Sequence, residues 1–246
     1  METMLVRERY KVVRVLWSET DYALAEAVDI QDRETPACLL NFFEGEQMAR
    51  YGRLCSAVRQ EDCPALRGLF LENDTLVAVF DPCSGEEIDR VFHRGDRWEW
   101  RDRLDFAQLV LHQALSMANL PPEISCAAML SDNLRIDVEK RRVSVRYMLR
   151  PAPELGPREL PLLAGDQVRK ILLGRLDSPD EEVAFLARLR RGEFPTIVAL
   201  YAAWRDILPG LQEQYEIYAN KNFFARGITR VKRWFSRKKK RGRNPG

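Results

Sequence analysis

The stretch RDRLDFAQLVLHQALSMAN, residues 101–119, decides the fold class of this 246-residue chain. Its apolar side chains surround most of the circumference that a helix of this length would have, which predicts a buried, central helix. The pair Pro121-Pro122 ends that helix, because proline has no amide hydrogen and clashes with the preceding turn. We therefore expect a core built around one helix in the middle of the chain.

The residues before this helix have the composition of strands. A helix-forming segment, residues 46–58, and a turn, Glu72-Asn73-Asp74, interrupt the strand-like runs. Five strands are predicted, at residues 10–16, 22–30, 37–43, 65–71 and 75–80. The first third of the chain is therefore predicted to be a β-sheet with one helix.

The residues after the central helix return briefly to strands and then become helical. Residues 134–137 and 143–147 predict a short hairpin, and the Pro- and Gly-rich residues 150–161 predict a loop. Helices are predicted at residues 164–176, 180–191 and 196–207, with a final one from Leu211 into the C-terminal tail. The whole chain is thus expected to be an α+β protein.

The charge of the chain is divided unevenly, although its sum is close to zero. Lys and Arg total 39, Asp and Glu total 37, and the net charge is +2. Residues 217–246 carry 11 basic residues and no acidic one, so the preceding residues have 28 basic against 37 acidic side chains, a net charge of −9. An acidic body is joined to a cationic tail, and we do not expect the acidic body to bind nucleic acid, which is also negatively charged.

Cysteine and histidine are too sparse and too scattered for a common zinc motif. The five cysteines include no CxxC pair, and His93 and His112 are the two histidines. We expect no metal and five reduced thiols that pack as small hydrophobic side chains. The sequence has neither an apolar run of about 18 residues nor an apolar segment near its N-terminus, so we expect a cytoplasmic location.

The order of these elements resembles the protein kinase fold. Residues 76–85, LVAVFDPCSG, are similar to the last strand of the small lobe and the hinge, and residues 101–119 to the long helix before the catalytic loop. Residues 124–137, ISCAAMLSDNLRID, are similar to the catalytic loop and the strand that follows. The resemblance covers residues 10–150. It implies a β-rich small lobe at 1–82 and a reduced helical large lobe at 83–216, followed by a basic amphipathic tail at 217–246.

Four parts that a kinase needs for phosphoryl transfer are missing. Residues 17–23 hold bulky side chains and two carboxylates where a Gly-rich loop would cradle phosphates. Asn41 or Leu40 stands where the strand-three lysine is expected. Ala128 replaces the aspartate of the HRD motif, and the position of the DFG aspartate falls near Arg146, whose charge opposes Mg²⁺.

Asn133 is the residue of the catalytic loop that does match, and it is a weak candidate for binding a cofactor. Ser131-Asp132-Asn133 is also ordinary turn chemistry before a strand, and this interpretation is preferred. We therefore predict a bacterial-style pseudokinase without catalytic residues, cofactor or metal, which acts by binding a protein partner. The alternative is a divergent active serine/threonine kinase, with Asp132 and Asn133 as its support.

The C-terminal tail carries the strongest functional signal. Phe224, Ile228, Val231 and Phe235 recur at the spacing of one helix face, and most basic residues fall on the other side. This pattern is typical of a helix that lies in a membrane interface, where each Lys or Arg near an anionic leaflet contributes roughly 1 kcal/mol. The residues expected to bind a membrane or a partner are Phe223, Phe224, Arg226, Ile228, Arg230, Val231, Lys232, Arg233, Trp234, Phe235, Arg237, Lys238, Lys239, Lys240 and Arg241.

Other interpretations of the tail stay open. Its apolar residues could pack on the acidic body, its cations could bind nucleic acid, or the charge run could simply aid solubility. It could also be the cytoplasmic flank of a membrane span. We rank docking to a membrane surface or a partner first, packing on the body second and nucleic acid third. Docking to a membrane would place the cytoplasmic chain at the inner face of the membrane. The layout resembles the small membrane-bound pseudokinase subunits of type VII secretion systems.

Overall fold

The computed structural model describes residues 4–93, 95–174 and 178–220. A six-stranded sheet and one helix come first, and helices with a three-stranded sheet follow. The strands are β1 (Leu5–Val6), β2 (Tyr10–Glu19), β3 (Tyr22–Asp29), β4 (Ala37–Phe43), β5 (Leu66–Glu72), β6 (Thr75–Phe80), β7 (Glu86–Glu87), β8 (Leu134–Asp137) and β9 (Arg142–Val145). The helices are α1 (Gly45–Ser56), α2 (Ile88–Val91), α3 (Trp100–Ser116), α4 (Pro122–Ala128), α5 (Glu159–Leu172), α6 (Asp180–Arg190) and α7 (Ile197–Ala219).

The large sheet has the order β1-β2-β3-β4-β6-β5, with every pair antiparallel. Side chains of a strand alternate between its two faces. On β4, Leu39 and Phe43 belong to the main core with α1 and the helices, whereas Cys38 and Leu40 belong to a second apolar cluster on the opposite face. The sheet is therefore apolar on both sides, and we call the side turned away from α1 its outer face.

Helix α3 is the central helix that residues 101–119 predict. Leu104, Val110 and Leu111 are almost completely buried, and the helix packs against α5, α7 and β9. It ends at Ser116, before the two prolines, as expected. The predicted hairpin at 134–147 is also present as β8 and β9. The core of the second half of the chain is thus organised as the sequence predicts.

Helix α7 is longer than the sequence predicts. We expected one helix to end at 207 and another to begin at Leu211, yet α7 continues through Pro209. A proline inside a helix costs about 3 kcal/mol. Trp204 and Leu211, one on each side of Pro209, are fully buried, and their packing holds both halves in one helix. The helix also extends past Glu216 to Ala219, into residues expected to belong to the tail.

Helix α5 begins at Glu159, inside the residues 150–161 that were expected to form a loop. Leu160 is buried, so the apolar face of the helix starts there rather than at 164. Within the described ranges, no helix is both long enough and apolar enough to cross a membrane.

Candidate functional site

The candidate site lies between the inner face of the large sheet and the segment that follows β9. Asn41, on β4, is completely buried at its centre. Its side-chain oxygen accepts hydrogen bonds from the hydroxyl of Tyr22 at 2.8 Å and from the amide of Leu149 at 2.9 Å. Its amide nitrogen donates to the carbonyl oxygen of Tyr147 at 2.9 Å. The side chain thus fixes the sheet to the main chain of residues 147–149.

Aromatic rings fill the space around Asn41. The Tyr147 ring stacks on Phe80 of β6, with 4.8 Å between the ring centres. Burial raises the pKa of both Tyr147 and Tyr22, so both hydroxyl groups stay protonated at neutral pH. The inner face of the sheet is therefore closed by packed, neutral side chains.

Three arginines converge on Asp132, in the turn before β8. Arg135 and Arg146 both donate to its carbonyl oxygen at 2.9 Å, and Arg150 donates to its carboxylate at 2.5 Å. Burial, and then the neighbouring charge of Arg135, lower the pKa of Arg146. Because a guanidinium group is not deprotonated in proteins near neutral pH, Arg146 still carries its charge. The segment after β9 is thus cationic.

Arg150 also reaches the sheet. Its guanidinium carbon lies 4.6 Å from the centre of the Trp17 ring on β2, a cation–π distance. The carbonyl oxygen of Arg150 accepts a hydrogen bond from Tyr51 of α1 at 3.3 Å. Arg50 of α1 donates to the carbonyl oxygen of Ala152. The segment 150–152 is therefore tied to both β2 and α1.

Asn133 is buried beneath this segment. Its amide nitrogen donates to the carbonyl oxygens of Ala127 at 2.8 Å and Met148 at 2.9 Å. Its side-chain oxygen is buried and has no hydrogen-bond partner within the described residues. The Asn133 side chain links the turn after α4 to the segment after β9.

The turn between β2 and β3 places exposed carboxylates at one end of the sheet. Glu19 is opposite Tyr22 in the register, and the carbonyl oxygen of Asp21 accepts a hydrogen bond from the amide of Glu44 at 3.1 Å. Within the described part of the chain, no group of three or more His, Cys, Asp or Glu side chains is placed to hold a metal ion.

The sequence matches no family model and no curated protein. The solved kinase domain of PknI from Mycobacterium tuberculosis aligns with 87% of this chain and 99% of that domain, with a TM-score of 0.56 and 10% identity. Rad53 residues 1–466 in complex with AMP-PNP align with 82% of this chain and 60% of that chain, with a TM-score of 0.51 and 16% identity. The chain has a protein kinase fold.

This fold confirms the α+β, kinase-like architecture predicted from the order of elements. The large sheet with α1 is the small lobe, and the helices with the three-stranded sheet form the large lobe. The structural similarity extends beyond residues 10–150, to which we expected it to be limited, because the shared helical packing leaves little trace in a sequence only 10% identical.

The structure brings three predicted positions together: Asn41, Asn133 and Arg146 all contact the segments around β9. The hydrogen bonds of Asn41 go to β3 and to residues 147–149. The tail residues from Phe223 to Arg241 lie outside the described residues.

Sequence reasoning missed the contacts of Trp17, Tyr22, Tyr147 and Arg150. Each joins residues more than 15 positions apart, and pattern analysis of single segments does not detect such pairs. Polar residues inside apolar strands, such as Asn41, were the available signal, because a buried amide needs partners.

Proposed function

We propose that the chain is a catalytically inactive, kinase-like binding module that brings a protein partner to an anionic membrane surface through its basic tail. The observation that carries the first half of this proposal is the environment of Asn41. The strand-three position of a kinase supplies a lysine to the nucleotide phosphates. Here it holds a neutral amide whose hydrogen bonds are taken by the protein itself.

The charges around the cleft support the same conclusion. Glu19 and Asp21 stand in the turn where backbone amides would cradle phosphates, and carboxylates repel them. Arg146 places a cation near the position expected of a metal-binding aspartate, and this disfavours Mg²⁺. Ala128 has no group that could accept a proton from a substrate hydroxyl.

The second half of the proposal rests on the sequence of the tail. Its 11 basic residues, unopposed by any acid, favour an anionic surface, and the apolar stripe Phe224, Ile228, Val231 and Phe235 favours insertion between headgroups. A soluble anionic partner would use the charges but not the stripe.

Phosphate transfer from ATP and Mg-ATP binding by calorimetry test the first half. We expect neither a heat of binding nor transfer above a blank without protein. Transfer that is lost in Asn133→Ala but retained in Asn119→Ala would establish the divergent kinase instead. Asn119 is a suitable control because it is exposed on the surface, where its side chain donates to Asp62.

Co-sedimentation with vesicles tests the second half. The full chain should bind phosphatidylserine–phosphatidylcholine vesicles and not pure phosphatidylcholine. Replacing Phe224, Val231 and Phe235 by serine should abolish binding, although every charge is kept. Lys11→Gln, on β2, serves as the control for loss of a cation outside the tail.

The same variants separate the nucleic-acid alternative. The nucleic-acid hypothesis predicts DNA binding that weakens steeply as the salt concentration rises. That binding should survive loss of the stripe but be lost when Lys238, Lys239 and Lys240 are replaced by glutamine. Vesicle binding that survives loss of the stripe would contradict interfacial insertion.

A further inference from the structure

The outer face of the small-lobe sheet carries an open apolar groove of about 370 Å³. The groove is deep at its centre because β3 contributes Ala23 and Ala25, where strands usually carry larger side chains. Several lining side chains are half exposed, among them Val15 at 57% and Met4 at 58%. The apolar residues that line it are Met4, Leu5, Val6, Val12, Val15, Ala23, Ala25, Phe42 and Val77.

One end of this groove is bordered by carboxylates, which we call the acidic edge: Glu19, Asp21, Glu44, Glu72 and Asp74. Glu44 and Glu72 line the groove itself. The strand register brings the turns that hold the other three to the same end of the sheet. Glu44 accepts a hydrogen bond from the Thr75 hydroxyl, and Glu72 accepts one from the main-chain amide of Arg7. Both donors are uncharged groups. Across the described ranges, none of the five pairs with a Lys or Arg side chain.

An apolar groove with an acidic edge matches a basic amphipathic helix. Residues 222–237 of this chain have that character, since they carry five cations, no acid and an apolar stripe. As a helix, 16 residues would be about 24 Å long. Arg7 is a cation near the groove, where its guanidinium lies over the Phe70 ring, and it would repel a basic helix. The attraction for such a helix therefore comes from the carboxylates of the acidic edge.

The position of α7 decides which copy of the chain supplies that helix. α7 packs against α3, α5 and α6 of the large lobe, and near its C-terminus Tyr215 stacks on Trp100. The groove lies on the far side of the small-lobe sheet. Trp100 begins α3, whereas Asn119, just beyond the other end of α3, donates to Asp62 of the small lobe. The 17 residues of α3, about 25 Å, therefore separate the end of α7 from that lobe. Residue 222 follows Asn220 by two positions, or about 7 Å of extended chain, which is too short for a helix 222–237 of the same chain to begin at the groove.

We infer that the groove binds residues 222–237 of a second copy of this chain. Two copies can exchange tails reciprocally, which makes a symmetric dimer with two identical contacts. The inference rests on the proposed amphipathic character of the tail. It adds self-association to the proposed function, because one apolar stripe cannot occupy a groove and a membrane at once.

The test uses full chains and sedimentation equilibrium. Val15→Glu puts a charge into the groove at a half-exposed position and should weaken self-association about tenfold or more. Val13→Glu is the matched control, since Val13 is on the same strand, is 62% exposed and does not line the groove. The stripe variant, with serine at Phe224, Val231 and Phe235, should be monomeric.

A mixing experiment completes the test. Val15→Glu keeps an intact tail and the stripe variant keeps an intact groove, so at a concentration at which each is monomeric alone, the two should form a heterodimer with one contact. Failure of the mixture to associate, or equal association of Val15→Glu and the wild type, would overturn the inference. Unchanged vesicle binding by Val15→Glu would leave the proposed function standing, whereas self-association without vesicle binding would remove the proposed function alone.

Discussion

The guanidinium of Arg150 lies over the ring of Trp17 and donates at the same time to the carboxylate of Asp132. One side chain from the large lobe therefore bridges β2 and the turn before β8, and we call the gap between these two segments the mouth of the cleft.

Replacing Arg150 by alanine is expected to loosen the mouth of the cleft. The loss of a partly exposed cation–π contact and ion pair should lower the free energy of unfolding by about 1 kcal/mol. Amide exchange, measured by mass spectrometry, should rise in the turn between β2 and β3. Arg14→Ala, which removes an exposed pair with Glu26, should leave that exchange unchanged. Equal exchange in both variants would show that Arg150 does not close the mouth.

Replacing Asn41 by alanine is expected to destabilise the fold severely. The change leaves the Tyr147 carbonyl buried without its donor and removes the acceptor that the Tyr22 hydroxyl and the Leu149 amide share, at roughly 1–3 kcal/mol for each lost hydrogen bond. Urea denaturation should show a loss of about 3–5 kcal/mol, against less than about 1 kcal/mol for the exposed Asn119→Ala. Asn41→Lys should not create affinity for Mg-ATP, because Arg146 and Ala128 remain. Nucleotide binding by that variant would contradict our account of the cleft.

Asn133→Asp distinguishes a structural amide from a metal ligand. The aspartate cannot donate to the carbonyl oxygens of Ala127 and Met148, and its charge would be buried beside them. We expect a loss of about 3 kcal/mol or more in the free energy of unfolding, unaffected by Mg²⁺. A metal ligand would behave differently, since a carboxylate would be tolerated and Mg²⁺ would raise the melting temperature.

The pair Arg9–Asp29 should make stability depend on pH. Asp29 accepts hydrogen bonds from Arg9 at 2.6 and 2.9 Å, and these bonds lower its pKa below the usual value. A lowered pKa in the folded state stabilises the fold above the ordinary pKa of about 3.9 and loses that contribution as the pH falls. Asp29→Asn should therefore cost about 1–3 kcal/mol at pH 7 and progressively less below about pH 4, measured by urea denaturation.

Glu26→Gln is the control for that prediction. Its partner Arg14 is exposed, and exposed pairs contribute roughly 0–1 kcal/mol. The variant should follow the pH dependence of the wild type. An equal loss at pH 7 and pH 3 in Asp29→Asn would show that the Asp29 carboxylate does not supply the effect.

The fold could be predicted because most of its helices and strands have recognisable local sequence patterns. Residues 101–119 are apolar around most of a helix, and Asn73 and Asp74 adopt the positive φ angles that a tight hairpin turn requires. The continuity of α7 through Pro209 could not be predicted, because local propensity predicts a break there. The burial of Trp204 and Leu211, which no local pattern shows, outweighs the proline.

The candidate site was predicted only in part. The lysine and the aspartate that the resemblance leads one to expect at Asn41 and Ala128 are absent from the sequence, and the proposed loss of catalysis rests on that. The contacts of Asn41 could not be predicted, because Asn41 and Tyr147 are 106 positions apart. Only the folded chain shows that the Asn41 amide binds the main chain of the opposite lobe.

Asn41 has a mechanical consequence for the whole molecule. Enzymes that close over their substrates need a soft connection, since lobes must part again to release product. Here a rotation between lobes would break buried hydrogen bonds to the main chain of residues 147 and 149. We therefore expect the two lobes to move as one body, so that a partner that touches both would meet a surface of constant shape.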